Sequence, residues 1–228
     1  MEDQDPDADA RRLADVAIAR GDATGWFEEL YVAAESGDAV VPWDHREPQQ
    51  FVEAWVRRRG RDDRGRRAVV VGCGLGRDAE LLAGLGYSTM AFDVSETAVR
   101  IARDRFPESR VTYVAADLFA LPDGWQQTFD LVVESLTVQA LPLRLRSQAI
   151  EHVRSLVATD GTLLVVAAAQ LESGPPADGP PWPLTRADIS AFARDGLEEV
   201  EVALIPDPVD RSLHRWCAEL TSRRTTDG

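Results

Sequence analysis

The stretch Val69-Val70-Val71-Gly72-Cys73-Gly74-Leu75-Gly76-Arg77-Asp78 constrains this chain more than any other. A β-branched run enters a turn with three glycines in five positions and leaves it on residues suited to the first turn of a helix. Glycine tolerates positive φ and lets a ligand approach bare backbone N–H groups, so such a turn makes a binding corner in an α/β sheet. Dinucleotide sites want glycine at the first, third and sixth positions of the turn. Here the sixth is Arg77 and the additional glycine, Gly76, stands fifth, which argues against a pyrophosphate site.

From residue 66 onward, short β-branched runs alternate with helical stretches, the pattern of an α/β, Rossmann-like doubly wound sheet. Strands are expected near 68–71, 88–92, 111–115, 129–133 and 162–168, and helices over 77–85, 97–106 and 143–158. Residues 172–183 are dense in Gly and Pro and read as a loop at the carboxyl edge of the sheet, where ligands bind. A helix over 186–194 then precedes two strand-like runs, 199–205 and 213–220, parted by Pro206-Asp207-Pro208. They predict a terminal hairpin with an antiparallel strand on an otherwise mostly parallel sheet.

Ahead of this core, residues 10–65 repeat apolar positions at helical spacing and close with Arg57-Arg58-Arg59-Gly60, cations then glycine, as at a helix C-terminus. Residues 1–9 carry five acids and no base and read as an unpacked tail. The expected organisation is therefore a tail over 1–9, a helical segment over 10–65 and a core over 66–228, together one domain.

Composition excludes several classes. The 228 residues carry 39 acidic against 25 basic side chains, a formal charge of -14, opposite to the footprint of phosphate-backbone or anionic-membrane binding. Nucleic acid and membrane are not expected partners. Lysine and asparagine are absent, so every basic residue is arginine. This removes Schiff-base chemistry, pyridoxal phosphate attachment and the P-loop lysine. Cys73 and Cys217 are too few for a zinc cluster or a disulfide framework, so no metal site and a reducing cytoplasm are expected. No apolar run reaches the ~18 residues of a membrane span, and Met1-Glu2-Asp3-Gln4-Asp5 lacks the cationic start of a signal peptide.

The second strand ends in Phe92-Asp93-Val94-Ser95, which places Asp93 near the ~20-residue offset at which an acid meets ribose hydroxyls; the alternative for Asp93 is a helix cap. The third ends in Ala115-Ala116-Asp117-Leu118, where Asp117 could accept a hydrogen bond from an adenine amine. The glycine turn, both acids and the terminal hairpin together resemble a class I S-adenosylmethionine-dependent methyltransferase over most of residues 66–220. Pro42-Trp43-Asp44 before Pro48, the glycine turn, Asp93-Val94-Ser95 with Ala98-Val99, Asp117-Leu118-Phe119, Phe129-Asp130-Leu131, Ala140-Leu141-Pro142 and Pro180-Pro181-Trp182 follow in the order of one group. That group is the thiopurine methyltransferase-like one, which includes tellurite and halide/thiol methyltransferases. Arg46 stands where the group often has glycine and Glu134 where it often has aspartate.

The resemblance implies a small-molecule methyl acceptor and S-adenosyl-L-methionine as cofactor, held under an N-terminal helical lid. It places the cofactor against Trp26, Trp43, Gly72, Cys73, Gly74, Gly76, Asp93, Val94, Asp117, Leu118 and Glu134. An aromatic face attracts both a sulfonium and a planar acceptor, which suits Trp26 and Trp43; Trp26 has a core position as its alternative, and Trp55, in phase with Phe51 and Val52, belongs to the core. Methyl transfer from a sulfonium is an in-line displacement that a thiolate or amine performs unaided, whereas a hydroxyl acceptor wants a base. Glu134, closing Val132-Val133-Glu134, and His45 are the candidate bases, and their alternatives are a loop cap and an incidental surface histidine. Asp44 and Trp182 are the candidate acceptor contacts, with Trp182 equally suited to pin its loop. His152, in a helix, and His214, in an expected edge strand, read as structural. A cofactor-binding module without chemistry would carry the same loops.

Overall fold

The computed structural model describes residues 7–59, 63–171, 179–208 and 210–223. Three helices come first: α1 (Ala8–Ala19), α2 (Gly25–Glu35) and α3 (Gln50–Arg59). The core follows as β1 (Arg67–Val71), α4 (Arg77–Gly84), β2 (Ser88–Asp93), α5 (Glu96–Arg105), β3 (Thr112–Ala115), β4 (Phe129–Ser135), α6 (Arg146–Ser155), β5 (Val157–Ala168), α7 (Arg186–Ala191), β6 (Leu197–Pro206) and β7 (His214–Ser222). The strands form one seven-stranded sheet in the order β3-β2-β1-β4-β5-β7-β6. It is parallel from β3 to β5, and β7 runs antiparallel to both of its neighbours.

Helices on both faces explain why the central strands read as nearly unbroken apolar runs. Val69, Val71, Val132, Leu163 and Val165 pack on one side with residues of α6 and α7, while Ala68, Val70, Leu131, Leu164 and Val166 pack on the other with residues of α3, α4 and α5. The chain winds outward from β1 through β2 to β3, then returns to β4 on the other flank of β1. The carboxyl ends of β1 and β4 therefore bound the crevice at which such sheets take ligands.

Several boundaries differ from the sequence expectation. The helix expected to 158 ends at Ser155, because Val157 pairs with Phe129 and starts β5 early; the ladder shifts before Thr162 pairs with Leu131, across Asp160 at φ 62°. The helix expected over 186–194 stops at Ala191, although it begins as the sequence suggests, on a Thr185/Asp188 capping box. His214 starts a strand inside the sheet, since β6 and not β7 forms that edge. The acidic tail overlaps α1, which begins at Ala8; residues 1–6, and 172–178 of the Gly/Pro-rich segment, lie outside the described residues.

The first three helices divide between two duties. Helix α3 packs on the sheet, where Trp55 Nε1 donates to Glu219 at 2.8 Å and the Arg59 guanidinium lies 4.9 Å over the Trp55 ring. Helices α1 and α2 make a smaller core of their own with Leu75 and Ala98. The Glu28 carboxylate ties α2 to the sheet domain, accepting from Ser95 Oγ at 2.6 Å and from Thr97 N and Oγ1 at 3.1 and 2.6 Å. Ser95 in turn caps α5 by accepting from Ala98 N. Burial alone would raise the Glu28 pKa, but the hydrogen bonds from Ser95 and Thr97 outweigh it and hold the carboxyl below its usual range.

A lowered carboxylate pKa contributes stability that is present at neutral pH and lost in acid. Glu28→Ala is expected to lower unfolding stability at pH 7 by roughly 2–3 kcal/mol in urea titrations. The difference from wild type should shrink as the pH falls below about 4. Equal stability at pH 7 would mean that α2 docks without this carboxylate.

Candidate functional site

The carboxyl ends of the parallel strands open into a cavity of about 500 Å³, bounded on its other sides by α1, α2 and the segment 42–49. Its floor is the glycine turn after β1. Gly72, Gly74 and Gly76 have φ of 59°, 50° and 88°, which only glycine adopts at little strain. Space is limiting as well: a Cβ on Gly72 would stand 2.5 Å from Thr137 Oγ1, and one on Gly74 2.9 Å from the Tyr31 hydroxyl. The turn is bare because its surroundings leave no room for side chains.

Asp93, the last residue of β2, is buried beside this turn. Its Oδ2 accepts from Gly74 N at 2.9 Å and its Oδ1 from Ser95 N at 3.0 Å, so each oxygen keeps acceptor capacity toward the cavity. Burial raises its pKa, against the pull of those backbone donors. Helix α5 takes its cap from Ser95, not from Asp93. Beyond β3, Asp117 Oδ1 accepts from Phe119 N at 2.8 Å, and Asp117, Leu118 and Phe119 line the outer end of the cavity. Cys73 and Val94 line it too, and burial followed by the charge of Asp93 pushes the Cys73 thiol well above its ordinary pKa.

The cover is aromatic. Trp26 stacks on Phe27 with centroids 3.9 Å apart and meets Trp43 edge-on at 6.1 Å. Trp43 Nε1 donates to the Tyr31 hydroxyl at 2.6 Å, directly above Gly74. Trp26 is fully buried in the α1/α2 core and also lines the cavity, with its Nε1 lacking a hydrogen-bond partner.

Other candidates are corrected. Glu134 is fully buried and absent from the cavity lining; its Oε1 accepts from Thr137 N and Val138 N, both at 2.9 Å, and holds the turn after β4. Strand pairing with Val71 and Val165 leaves it beneath that turn and outside the cavity lining. Trp182 is also outside the lining, which runs through Pro181 and Pro183; its backbone N–H donates to Gln139 O and its carbonyl accepts from Arg146. Asp44 lies at the rim but is held by both Nη atoms of Arg105, at 2.8 and 3.2 Å. His45 is at the rim and exposed. His152 is structural, its Nδ1 lying 2.6 Å from Leu118 O.

Phe27, Tyr31, Asp78, Thr137, Gln139 and Arg215 line the cavity without having been singled out in the sequence. Tyr31 sits four residues beyond Phe27 on α2, a spacing that could have marked it. Asp78 accepts from Gln49 N at 2.7 Å and ties the start of α3 to α4, and burial raises its pKa. Among the described residues, no group of three His, Cys, Asp or Glu side chains is placed to hold a metal ion.

Burial pushes the Glu134 carboxyl up to about 7, against the pull of its two backbone donors, while Oε2 has no partner. The folded chain then holds this proton more tightly than the unfolded chain, whose glutamate titrates near about 4.3. The associated stability is complete at low pH and is lost as the pH rises from about 4.3 through about 7. Glu134→Gln should therefore flatten the fall in Tm between about pH 5 and 7. Parallel Tm curves for the two proteins would show that the carboxyl titrates in its ordinary range.

Comparison with known proteins places the chain in a wider setting. Residues 68–161 match the family model described as a methyltransferase domain. Curated protein sequences give no match. Among solved structures, one determined for the conversion of a disulfide bond into a thioacetal group during echinomycin biosynthesis superposes with a TM-score of 0.67 at 21% identity, over 88% of this chain and 94% of that one. The 1,6-didemethyltoxoflavin-N1-methyltransferase of Burkholderia thailandensis, with 1,6-didemethyltoxoflavin and S-adenosylhomocysteine bound, gives 0.62 at 16% identity, over 79% of this chain and 80% of that one. The cyclase SpnF gives 0.64 at 15%, over 79% and 85%. Residues 68–161 are thus similar to a methyltransferase domain, and the chain has the Rossmann-like fold that these proteins share.

Proposed function

We propose that the protein is an S-adenosylmethionine-dependent methyltransferase that acts on a small-molecule acceptor. The observation that carries this reading is Asp93, a buried carboxylate fixed on the bare glycine turn with spare acceptor capacity facing the cavity. The donor set fits the cofactor. Asp93 would take the ribose hydroxyls and Asp117 the adenine amine, with Leu118 and Phe119 against the adenine ring. The backbone at Gly72–Gly76 would admit the amino-acid end, in space that side chains would otherwise fill. When bound, S-adenosylmethionine supplies a methyl group on a sulfonium, open to in-line attack.

The chain's own contribution is placement and exclusion of water. Trp26, Phe27, Tyr31 and Trp43 close the cavity with apolar faces that suit a sulfonium and a flat acceptor, which is the role of a lid. With Glu134 held by the backbone, His45 is the remaining candidate base of the two; a hydroxyl acceptor would call on it, whereas a sulfur or nitrogen acceptor would not. Trp43 above Gly74 supports the finer likeness to the thiopurine, tellurite and halide/thiol group. The charge of -14 supports a non-nucleic-acid acceptor, and two free cysteines support a reducing, cytoplasmic setting. No helix among the described residues is long and apolar enough to cross a membrane.

A second reading, a cofactor-binding protein without methyl transfer, is favoured by one observation: the fold is shared with a cyclase. Calorimetric titration of wild type and Asp93→Ala with S-adenosylmethionine and S-adenosylhomocysteine tests the cofactor. Wild type should bind both, and the variant should bind about 10–100-fold more weakly, the loss of one or two charge-assisted hydrogen bonds. No binding by folded wild type would overturn the reading. Binding without turnover across thiol, amine and phenol acceptors would move the assignment to the second one.

A further inference from the structure

The cavity divides by strand order. The glycine turn, Asp93 and Asp117 stand at the ends of β1, β2 and β3, whereas Gln139, Ala168, Pro180, Pro181, Leu213 and Arg215 line the part over β4, β5 and β7. If the cofactor takes the first part, the acceptor is left with the second. Its walls are largely apolar, so the few polar groups there decide what it admits.

Gln139 is foremost among them. It lies in the 3-10 turn Val138–Ala140 after β4 and is only 7% exposed. Its Oε1 accepts from Ala168 N at 2.5 Å. Because only the amide oxygen can accept that bond, the orientation of the amide is settled and its NH2 group points away from β5. Its backbone carbonyl also accepts from Trp182 N at 2.7 Å, so the residue is pinned to β5 on one side and to the Pro-rich segment on the other. Among the described residues Nε2 donates to nothing, yet it is not one of the sealed polar atoms. It is a fixed pair of donors on the cavity wall.

The charged groups nearby are already matched. Arg215, across the ladder from Ala168, pairs with Asp207 at 3.1 Å, and at the rim Arg11 pairs with Asp7 at 3.3 Å. Among the described residues that line the part over β5 and β7 there is no Asp or Glu, while the Gln139 amide and Arg215 belong to the lining. We infer that the methyl acceptor is a flat, apolar molecule bearing a carbonyl, carboxylate or unprotonated ring-nitrogen acceptor, and that Gln139 selects it through its amide NH2. A substrate whose polar end is an ammonium would leave that NH2 unmatched and bring its own donors against it. This inference rests on the cofactor assignment proposed above.

Three phenols of one body separate the possibilities: 4-hydroxybenzamide, 4-hydroxybenzoate and 4-(aminomethyl)phenol, each titrated calorimetrically into protein saturated with S-adenosylhomocysteine. The first two should bind and the ammonium compound should bind at least about 10-fold more weakly. Gln139→Glu, which keeps an acceptor for Ala168 N, should reverse that order, and Gln139→Met should level it, both with S-adenosylhomocysteine affinity within about twofold of wild type. Equal binding of all three by wild type, an unchanged order in both variants, or no phenol binding while S-adenosylhomocysteine binds would each overturn the inference alone. Failure of S-adenosylhomocysteine to bind wild type would instead bring down the cofactor assignment and this inference with it.

Discussion

The arrangement of the cavity depends on Gly72, Gly74 and Gly76 carrying no side chain in the turn after β1. Because Gly72 and Gly74 are bare, Thr137 can lie against the turn from β4, donating its hydroxyl to Val71 O at 2.9 Å, and Tyr31 can reach it from α2. Because Gly74 N is exposed on the inner side, Asp93 can grip it from β2. Three separate parts of the chain, more than 100 residues apart at their extremes, are thus registered on one turn. A methyl group added there would displace a neighbour as well as strain the backbone, so the two penalties would act together.

The fold was legible because its signals are periodic and local. Alternation of buried β-branched runs with helical stretches gave the parallel sheet, and Pro206-Asp207-Pro208 marked the hairpin that supplies β6 and β7. Asp93 and Asp117 could be placed beside the cavity because the end of a parallel strand is visible in sequence and crevices in such sheets open at the carboxyl ends. The same rule failed for Glu134. Its position at the end of β4 was read correctly, but nothing in sequence says that two backbone N–H groups three and four residues on will claim its carboxylate. Gln139 was missed for the converse reason: a single 3-10 turn has no period to read, and its donors gain meaning only from Ala168, 29 residues on.

Tryptophans show a further limit of reading by residue type. Trp26 and Trp43 met the expectation of an aromatic cover, whereas Trp55 packs on the sheet and Trp182 serves through its backbone. What separates them is the neighbour each indole finds, and only Trp26 and Trp43 find one another. The charge balance has a similar local meaning. Although the chain is strongly acidic, the arginines Arg11, Arg105 and Arg215 around the cavity are each matched by a nearby acid. These three pairs add no net charge at the rim, where exposed ion pairs contribute little.

The Glu28 bridge bears on how a ligand gets in. Lifting α2 would strip three donors from one carboxylate and leave Ser95 and Thr97 at the start of α5 without their partner, next to the residue that grips the glycine turn. That side of the cavity is tied to its own floor. Seen this way α2 is a fixed back wall, and a ligand that opened the cavity on that side would cost the start of α5 its partner carboxylate.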